Sequence, residues 1–303
     1  MHANNLHKDG YDFKQLSKTV PELAAFVIDK PDRRPTIDFS NALAVKTLNQ
    51  ALLKHHYKLT YWDIPTGFLC PPVPGRADYI HHIAALLADS KDKFTEPNNI
   101  VGLDIGVGAN AIYPIVGSQI YGWKFVGSEV NPMSLTSAQT IIDKNPNLKN
   151  YLTLRQQLNP DNIFKGVIQT KDYFSFTLCN PPFHANAQEA DAGTQRKNTN
   201  LGRNKQKRGT TSHSLSTPDT KHLNFAGQHN ELWCKGGEAA FIQKMIIESQ
   251  DFKSQVKWFT CLVSKKDNLK GIYQQLAAVN VREIKTINMS QGSKISRFIA
   301  WRF

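Results

Sequence analysis

The residues best suited to chemistry form a short run, Asn180-Pro181-Pro182-Phe183, directly after the apolar segment YFSFTLC. The Asn180 side-chain oxygen and the Pro181 carbonyl oxygen are acceptors, and the proline rings fix φ and add no competing N–H. Phe183 offers an aromatic face, and stacking on such a face is worth roughly 1–3 kcal/mol per nucleic-acid base. The run is therefore suited to holding a flat base that carries an amine.

The chemistry that this run could support is methylation of an adenine amine. That amine is a poor nucleophile because its lone pair is delocalised into the ring. Two acceptors aimed at the amine hydrogens favour the localised lone pair of the transition state. Methyl transfer from a sulfonium then needs in-line approach more than a strong base, and orientation can supply up to about 7–11 kcal/mol of the barrier. We predict that Asn180, Pro181, Pro182 and Phe183 are catalytic, whereas an isolated Pro-Pro pair would simply end a strand.

A second run, Asp104-Ile-Gly106-Val-Gly108-Ala-Asn110-Ala111, lies between an apolar segment and a predicted helix. Its glycines let the backbone turn tightly beneath a bound nucleotide. Glu129 ends the next predicted strand, where an acid can accept both hydroxyl hydrogens of an adenosine ribose. The pattern predicts a nucleoside site, but G-x-G-x-x-A is also a dinucleotide fingerprint. From this loop alone, a nicotinamide-dependent dehydrogenase stays open beside an S-adenosylmethionine enzyme.

The elements that must position these residues begin near residue 100, where short β-branched and aromatic runs alternate with helical segments such as SLTSAQTIIDKN and AAFIQKMIIESQ. Their spacing fits crossover connections, which predicts a parallel α/β sheet covered on both faces. Ligands of such sheets bind beyond the carboxyl ends of the strands, where Asp104, Glu129 and Asn180 would lie. The last two runs are close enough to form an antiparallel hairpin at the sheet edge. The seven predicted strands are NNIVGLDIGVG, WKFVGSEV, YLTLRQQ, YFSFTLCN, QVKWFTCLVS, NVREIKTINM and SRFIAWRF.

The N-terminal third has a different residue pattern, which is mainly helical. Helical periodicity in PELAAFVI, SNALAVKTLNQALLKHHY and ADYIHHIAALLADS predicts a helical extension over residues 1–95, before an α/β domain over 96–303. We expect this extension to contact RNA and the cofactor. Residues 62–76 lie between the last two helices and contain four prolines and two glycines. We therefore predict that these residues form a rigid loop without regular structure.

The charge of the chain indicates a polyanionic partner. The formal net charge is +12, no apolar run is long enough to span a membrane, and the start lacks a secretory pattern. We therefore expect a cytoplasmic protein that binds nucleic acid and does not insert into a membrane. The four cysteines are scattered, without metal-ligand spacing, so we expect buried thiols and no metal.

Residues 187–230 interrupt the α/β pattern and lack apolar periodicity. Within them, residues 195–210 carry six basic side chains and no acidic one. Such a stretch cannot bury enough surface to order itself alone, so we predict a flexible insert that contacts RNA. The predicted RNA-binding residues are Arg196, Lys197, Arg203, Lys205, Lys207 and Arg208.

These motifs resemble those of the F-type family of large-subunit ribosomal RNA adenine-N6 methyltransferases (RlmF type), within the wider Asn-Pro-Pro-Phe class of adenine methyltransferases. The resemblance runs from about residue 20 to the C-terminus. It implies a class I (Rossmann-like) methyltransferase fold, which agrees with a seven-stranded, mainly parallel sheet. It also implies S-adenosylmethionine as donor and a single adenine of 23S ribosomal RNA as acceptor. The matching segments are SNALAVKTLNQALL, YWDIPTGFLCPPVPGRADYIHH, LDIGVGANAIYPIVG, GWKFVGSE, LCNPPFHANAQEA, ELWCKGGE and SRFIAWRF.

The resemblance also implies roles for single residues. Matched to the family motifs, the segment from Asn180 to Phe183 holds the adenine, with Asn180 also beside the donor. Arg76 is similar to the residue that pairs with the donor carboxylate, and a guanidinium can bind a carboxylate in a bidentate manner. The residues that would contact the donor are Arg76, Asp104, Gly106, Gly108, Glu129, which holds the ribose, and Asn180.

The resemblance has one gap. Residues 203–220, RNKQKRGTTSHSLSTPDT, are longer and richer in serine and threonine than the family pattern, so detailed RNA contacts do not carry over. The leading hypothesis is a monomeric enzyme that methylates 23S RNA, or a large-subunit precursor particle. Methylation of another RNA, of DNA adenine or of a protein amide, and a non-catalytic RNA-binding role, are the alternatives.

Overall fold

The computed structural model describes residues 1–30, 33–89, 99–186, 188–189, 232–291 and 294–303. The chain begins with helix α1 (Phe13–Thr19) and a 3-10 turn (Pro21–Phe26). An antiparallel hairpin follows, formed by β1 (Val27–Lys30) and β2 (Arg33–Ile37). The expectation that PELAAFVI continues as helix was therefore wrong at its end, where β-branched Val27 and Ile28 favour an extended backbone.

Two longer helices complete the N-terminal region, α2 (Ala42–Tyr57) and α3 (Val73–Asp89). Helix α2 lies within the predicted helical segment SNALAVKTLNQALLKHHY, and it begins after Asn41, whose side chain accepts from the N–H groups of Leu43 and Ala44. The expectation that residues 62–76 lack regular structure was wrong at its end, since α3 begins at Val73. Proline and glycine fit in this first turn because its N–H groups have no partner within a helix.

The predicted parallel sheet is present at the centre of the molecule. It contains β3 (Val101–Ile105), β4 (Lys124–Glu129), β5 (Leu152–Gln156) and β6 (Phe176–Cys179) in the order β5-β4-β3-β6. All three pairings are parallel. Helices α4 (Ile112–Tyr121) and α5 (Pro132–Asp143) make the crossovers between neighbouring strands.

The remaining elements form a second sheet. Helix α6 (Gly237–Ser249) and a 3-10 turn (Gln250–Phe252) precede β7 (Phe259–Val263), which helix α7 (Asn268–Ala278) connects to β8 (Glu283–Gln291) and β9 (Lys294–Arg302). The sheet order is β7-β9-β8, and both pairings are antiparallel. The predicted antiparallel hairpin of the last two runs is thus confirmed. At the junction of the sheets, the Thr177 N–H donates to the Trp258 carbonyl oxygen at 2.8 Å.

Apolar side chains pack into two clusters. One joins the N-terminal helices to α4 and the sheet, and the other joins α6 and α7 to the sheet. In the first cluster, the Phe125 ring of β4 lies between Gly102 of β3 and Gly117 of α4. A Cβ would lie 2.7 Å from this ring at Gly102 and 2.4 Å at Gly117, so only glycine permits this approach. Among the described residues, no helix combines the length and apolarity that crossing a membrane requires.

Candidate functional site

A cavity of about 530 Å³ opens at the carboxyl ends of β3, β4 and β6. This is where ligands of open α/β sheets bind. The cavity brings together residues that are far apart in the sequence, because parallel strands all end at the same edge of the sheet. Of the residues singled out in the sequence, Arg76, Gly106, Gly108, Glu129, Asn180 and Pro182 line it.

The glycine loop after β3 is fixed by hydrogen bonds to the end of β4. The N–H groups of Gly106 and Val107 both donate to the Ser128 carbonyl oxygen at 2.9 Å. Gly106 and Gly108 have φ values of 76° and 64°, in the left-handed region that favours glycine. Ala111 also has a positive φ, 49°, at the turn where the loop enters α4. The backbone therefore forms a tight, preformed floor for the cavity.

Glu129 lies at the end of β4, with its carboxylate buried at the wall of the cavity. Its Oε2 accepts from the Gly108 N–H at 3.1 Å, and its Oε1 accepts from the N–H groups of Val130 and Asn131 at 2.9 and 3.0 Å. Hydrogen bonds of this kind to a charged acceptor are stronger than those between neutral groups. The glycine loop and the carboxylate therefore hold each other in place.

Asp104 differs from the other predicted site residues, because it lies buried behind the cavity wall and does not line the cavity. Neither of its carboxylate oxygens has a hydrogen-bond partner among the described residues. Burial raises the pKa of Asp104 well above its ordinary value, and the nearby Glu129 carboxylate raises it further. The Arg76 guanidinium opposes both effects. A buried carboxylate without partners is costly to the fold and suits a cationic ligand group.

Arg76 reaches the cavity from the first turn of α3. Its Nη1 donates to the Tyr113 hydroxyl oxygen at 2.7 Å, and its guanidinium carbon lies 5.4 Å from the centroid of the Tyr113 ring. Burial raises the pKa of Tyr113, so the hydroxyl stays neutral and available as an acceptor. These contacts hold one side of the guanidinium and direct its other N–H groups to a single orientation.

We expect Arg76→Ala to weaken the binding of S-adenosylhomocysteine by roughly 10- to 100-fold, because a charge-assisted pair with the ligand carboxylate is lost. Tyr113→Phe should weaken binding by only a few fold, since it frees the guanidinium without removing it. Calorimetric titration of both variants measures the two effects. Equal affinities for Arg76→Ala and the unchanged protein would show that Arg76 does not contact this ligand.

The Asn-Pro-Pro-Phe run follows β6 directly. The Asn180 Oδ1 is buried and has no hydrogen-bond partner among the described residues, although Asn180 lines the cavity. Pro182 also lines the cavity, whereas Pro181 and Phe183 do not. The N–H of Phe183 donates to the Leu232 carbonyl oxygen at 3.1 Å. The run thus presents one unsatisfied acceptor, and stacking on Phe183 stays a prediction.

Two segments on either side of residues 187–230 pair beside the cavity. The His184 N–H donates to the Leu232 carbonyl oxygen at 3.0 Å, and the Cys234 N–H donates to the His184 carbonyl oxygen at 3.1 Å. The described residues that flank this stretch are therefore paired with each other at the cavity. The predicted RNA-binding residues, Arg196, Lys197, Arg203, Lys205, Lys207 and Arg208, lie outside the described residues.

Several residues of the cavity wall were not predicted. Gln157 follows β5 as Glu129 ends β4, so the rule that ligands meet strand ends could have identified it. Trp233 and Lys235 belong to the ELWCKGGE segment, which had no assigned role. Leu69 and Pro71 come from the proline-rich loop, which the Trp62 indole fixes by donating to the Asn110 carbonyl oxygen at 3.0 Å. Only the packing of these loops brings them to the site.

The described residues fit an S-adenosylmethionine-like ligand. Such a ligand has a ribose, a carboxylate, an ammonium group and a sulfonium. The cavity offers a carboxylate at Glu129, a guanidinium at Arg76 and, behind its wall, the unpartnered carboxylate of Asp104. The Asn180 side-chain oxygen also has no hydrogen-bond partner among the described residues, so it suits an amine of a second ligand.

Comparison with known proteins identifies the family to which the chain is similar. A model of a family described as RNA methyltransferase matches residues 1–303. The chain is 54% identical to "Ribosomal RNA large subunit methyltransferase F" of Pseudoalteromonas atlantica, covering 100% of this chain and 92% of that protein. It is 51% identical to the protein of the same name from Flavobacterium johnsoniae, covering 100% and 93%.

Solved structures are similar over the whole chain. The hMettl16 catalytic domain in complex with MAT2A 3'UTR hairpin 1 has a TM-score of 0.79 at 28% identity, covering 100% of this chain and 95% of that chain. The N-terminal domain of human METTL16 in complex with SAH has a TM-score of 0.74 at 25% identity, covering 100% and 98%. One of these relatives was thus solved with an RNA and another with SAH.

Proposed function

The chain belongs to the RNA methyltransferase family, and from this premise we propose that it transfers a methyl group from S-adenosylmethionine to the N6 amine of a specific adenine in 23S ribosomal RNA. One observation carries the proposal. Glu129 and the glycine loop line the same cavity as Asn180 and Pro182. A nucleoside donor and an acceptor base can therefore meet in one cavity. The dehydrogenase that the glycine loop alone left open is set aside, because it gives no role to Asn180.

In this proposal, the donor lies along the glycine loop. Glu129 accepts from the ribose hydroxyls, and Arg76 pairs with the carboxylate while Tyr113 holds the guanidinium. Asp104 supplies negative charge behind the loop, where the cationic groups of the donor offset the cost of burying its carboxylate. SAH is the demethylated form of this donor, and the human METTL16 domain binds it.

The acceptor adenine lies against the Asn-Pro-Pro-Phe run. The Asn180 Oδ1 and the Pro181 carbonyl oxygen accept from the N6 hydrogens, which localises the lone pair on N6. The lone pair forms the new N–C bond as the C–S bond of the donor breaks, and the electrons of the broken C–S bond stay on sulfur. The methylated N6 then loses a proton to solvent. The cavity brings the two substrates together and orients them for in-line transfer.

We further infer that the two sheets act as one seven-stranded, mainly parallel layer of the class I methyltransferase type. Support comes from the junction of β6 and β7, where the Thr260 hydroxyl donates to the Thr177 carbonyl oxygen at 2.7 Å. The Phe174 N–H also donates to the Gln255 carbonyl oxygen at 2.8 Å. The division into a 1–95 extension and a 96–303 domain remains a prediction.

We assign RNA binding to the basic run at residues 195–210. Neutralising its six Lys and Arg side chains is expected to weaken RNA binding and flatten its salt dependence, since each lost phosphate contact removes about 0.7 from the slope of log K against log salt. Filter binding from low to moderate salt measures the slope. A slope equal to that of the unchanged protein would exclude phosphate contacts by this run.

The proposal is tested by methyl transfer to 23S RNA that lacks the modification. Labelled S-adenosylmethionine, naked RNA and large-subunit precursor particles are the substrates, and nucleoside analysis identifies the product. N6-methyladenosine at one position supports the proposal. Label in DNA or protein instead would move the assignment to those acceptors, and SAH binding without any transfer would favour a non-catalytic RNA-binding role.

A second RNA substrate class has one observation in its favour, the hairpin bound by the similar hMettl16 catalytic domain. In the same assay, short adenine-containing hairpins compete with 23S RNA. Preferential methylation of free hairpins would favour a small structured RNA. Preferential methylation of the ribosomal RNA would favour the first proposal.

A further inference from the structure

Helix α6 carries two buried glutamates that the site does not use directly. Glu248, near its carboxyl end, is 7% exposed, and Glu238, in its first turn, is 1% exposed. Each accepts hydrogen bonds from a different loop. Burying a carboxylate without a cationic partner is costly, so each must be offset by the groups that it binds.

Glu248 binds a loop that forms part of the cavity wall. Its Oε2 accepts from the Ile163 N–H at 3.0 Å, and its Oε1 accepts from the N–H groups of Phe164 and Lys165 at 2.7 and 2.5 Å. The chain separation exceeds 80 residues, so these bonds form only in the folded protein. Ile163 itself and the three residues before it, Pro160, Asp161 and Asn162, line the cavity.

The same loop is closed at its base by Gln157. The Gln157 amide donates to the Lys165 carbonyl oxygen at 2.8 Å, and its oxygen accepts from the Asn159 N–H at 3.0 Å. Gln157 fixes where the loop starts and ends, whereas Glu248 fixes its far turn against α6. The segment between them therefore has its position set from both sides.

The sheet order indicates what this segment faces. The acceptor run follows β6 at one side of the glycine loop, and Glu129 ends β4 at the other. Strand β5 lies beyond β4, and the Gln157 loop follows it. If the reactive end of the donor points to Asn180 and its ribose lies at Glu129, its nucleobase lies against residues 160–163.

We propose that Glu248 is a positioning residue for the donor: it holds the 160–163 wall in the shape that receives the donor nucleobase. This inference rests on the proposed function only for the identity of the ligand. Its effect is on donor affinity, since Glu248 does not line the cavity itself.

The test compares two isosteric variants of the same helix. Glu248→Gln replaces one acceptor oxygen by an NH₂ group, which cannot accept from the loop N–H groups. Glu238→Gln is the matched control: Glu238 accepts from the Ser264 and Lys265 N–H groups at 2.6 and 3.1 Å and from the Asn268 amide at 2.6 Å. None of these three partners lines the cavity.

Both variants are expected to lower the melting temperature, because each disturbs a buried carboxylate. Only Glu248→Gln is expected to raise the Kd for SAH, by roughly tenfold or more, since a hydrogen bond to a charged group is lost at the cavity wall. Glu238→Gln should stay within about twofold of the unchanged protein. An unchanged Kd for Glu248→Gln, or equal losses in both variants, would overturn the proposal.

A measurement on the unmodified protein covers the case in which Glu248→Gln does not fold. Saturating SAH should slow hydrogen exchange at the Ile163, Phe164 and Lys165 amides, because a ligand that needs the wall in place suppresses its local opening. The Ser264 and Lys265 amides are the internal control. Equal exchange at the loop with and without SAH refutes the proposal, whereas a protein that does not bind SAH at all refutes the proposed function instead.

Discussion

Replacing Asn180 by alanine is expected to lower the rate of methyl transfer by about 10²- to 10³-fold, the usual effect of removing one hydrogen-bonding group that acts on the charge developing in the transition state. The reason is the Asn180 Oδ1, which has no hydrogen-bond partner among the described residues and belongs to a residue that lines the cavity. Without this oxygen, only the Pro181 carbonyl oxygen would accept a hydrogen bond from the N6 amine. Single-turnover transfer to 23S RNA at saturating donor measures the effect on the chemical step.

Two controls accompany this variant. Asn147→Ala removes an asparagine that lies outside the cavity and bonds the Gln119 side chain, and it should transfer methyl groups at the unchanged rate. Calorimetry with SAH shows how far Asn180→Ala still binds the donor. A near-normal rate for Asn180→Ala would mean that the Asn-Pro-Pro-Phe run is only the end of a strand.

Replacing Asp104 by asparagine is expected to have two opposite effects. The ligand-free protein should become more stable, by about 1 kcal/mol or more, because a neutral group of the same shape replaces a buried carboxylate that has no hydrogen-bond partner in the described part of the chain. Donor binding should weaken by roughly tenfold or more, because the negative charge behind the glycine loop is lost. Chemical denaturation and SAH titration measure the two effects.

The stability gain should depend on pH in a defined direction. The folded-state pKa of Asp104 lies well above that of an unfolded aspartate, so the folded protein binds the proton more tightly. The protein with Asp104 therefore loses stability as pH rises from the ordinary aspartate pKa, near 3.9, through the raised value. The Asp104→Asn variant does not lose stability in this way. The difference in the free energy of unfolding between the variant and the unchanged protein should therefore be small at low pH and largest at neutral pH. A constant difference across this range would contradict the assignment.

The parts of the fold that could be predicted from the sequence have a strong local residue pattern. Each predicted strand run contains a strand, because β-branched and aromatic residues favour an extended backbone in parallel and antiparallel sheets alike. The edge of the sheet at which Glu129 and Asn180 meet also followed, since parallel strands end together. These inferences needed only periodicity and strand order.

What could not be predicted depends on packing between distant segments. Two other errors were local: β-branched Val27 and Ile28 begin β1, and α3 begins at Val73 because the first turn of a helix admits proline and glycine. Glu248 could not be identified either, because a glutamate in a helix usually marks a solvated face. Only the folded chain places it beneath the N–H groups of a loop more than 80 residues away.

The packing of Phe125 between Gly102 and Gly117 has a consequence for how the activity of the enzyme would depend on the concentrations of donor and product in the cell. Because this contact holds α4 close to β3, the glycine loop between them is shaped before any ligand arrives. A preformed loop contacts the nucleoside and amino-acid parts that donor and spent product share, so it stabilises both alike. Turnover would then be sensitive to product inhibition, and the extent of methylation would follow the cellular ratio of S-adenosylmethionine to S-adenosylhomocysteine rather than the donor concentration alone.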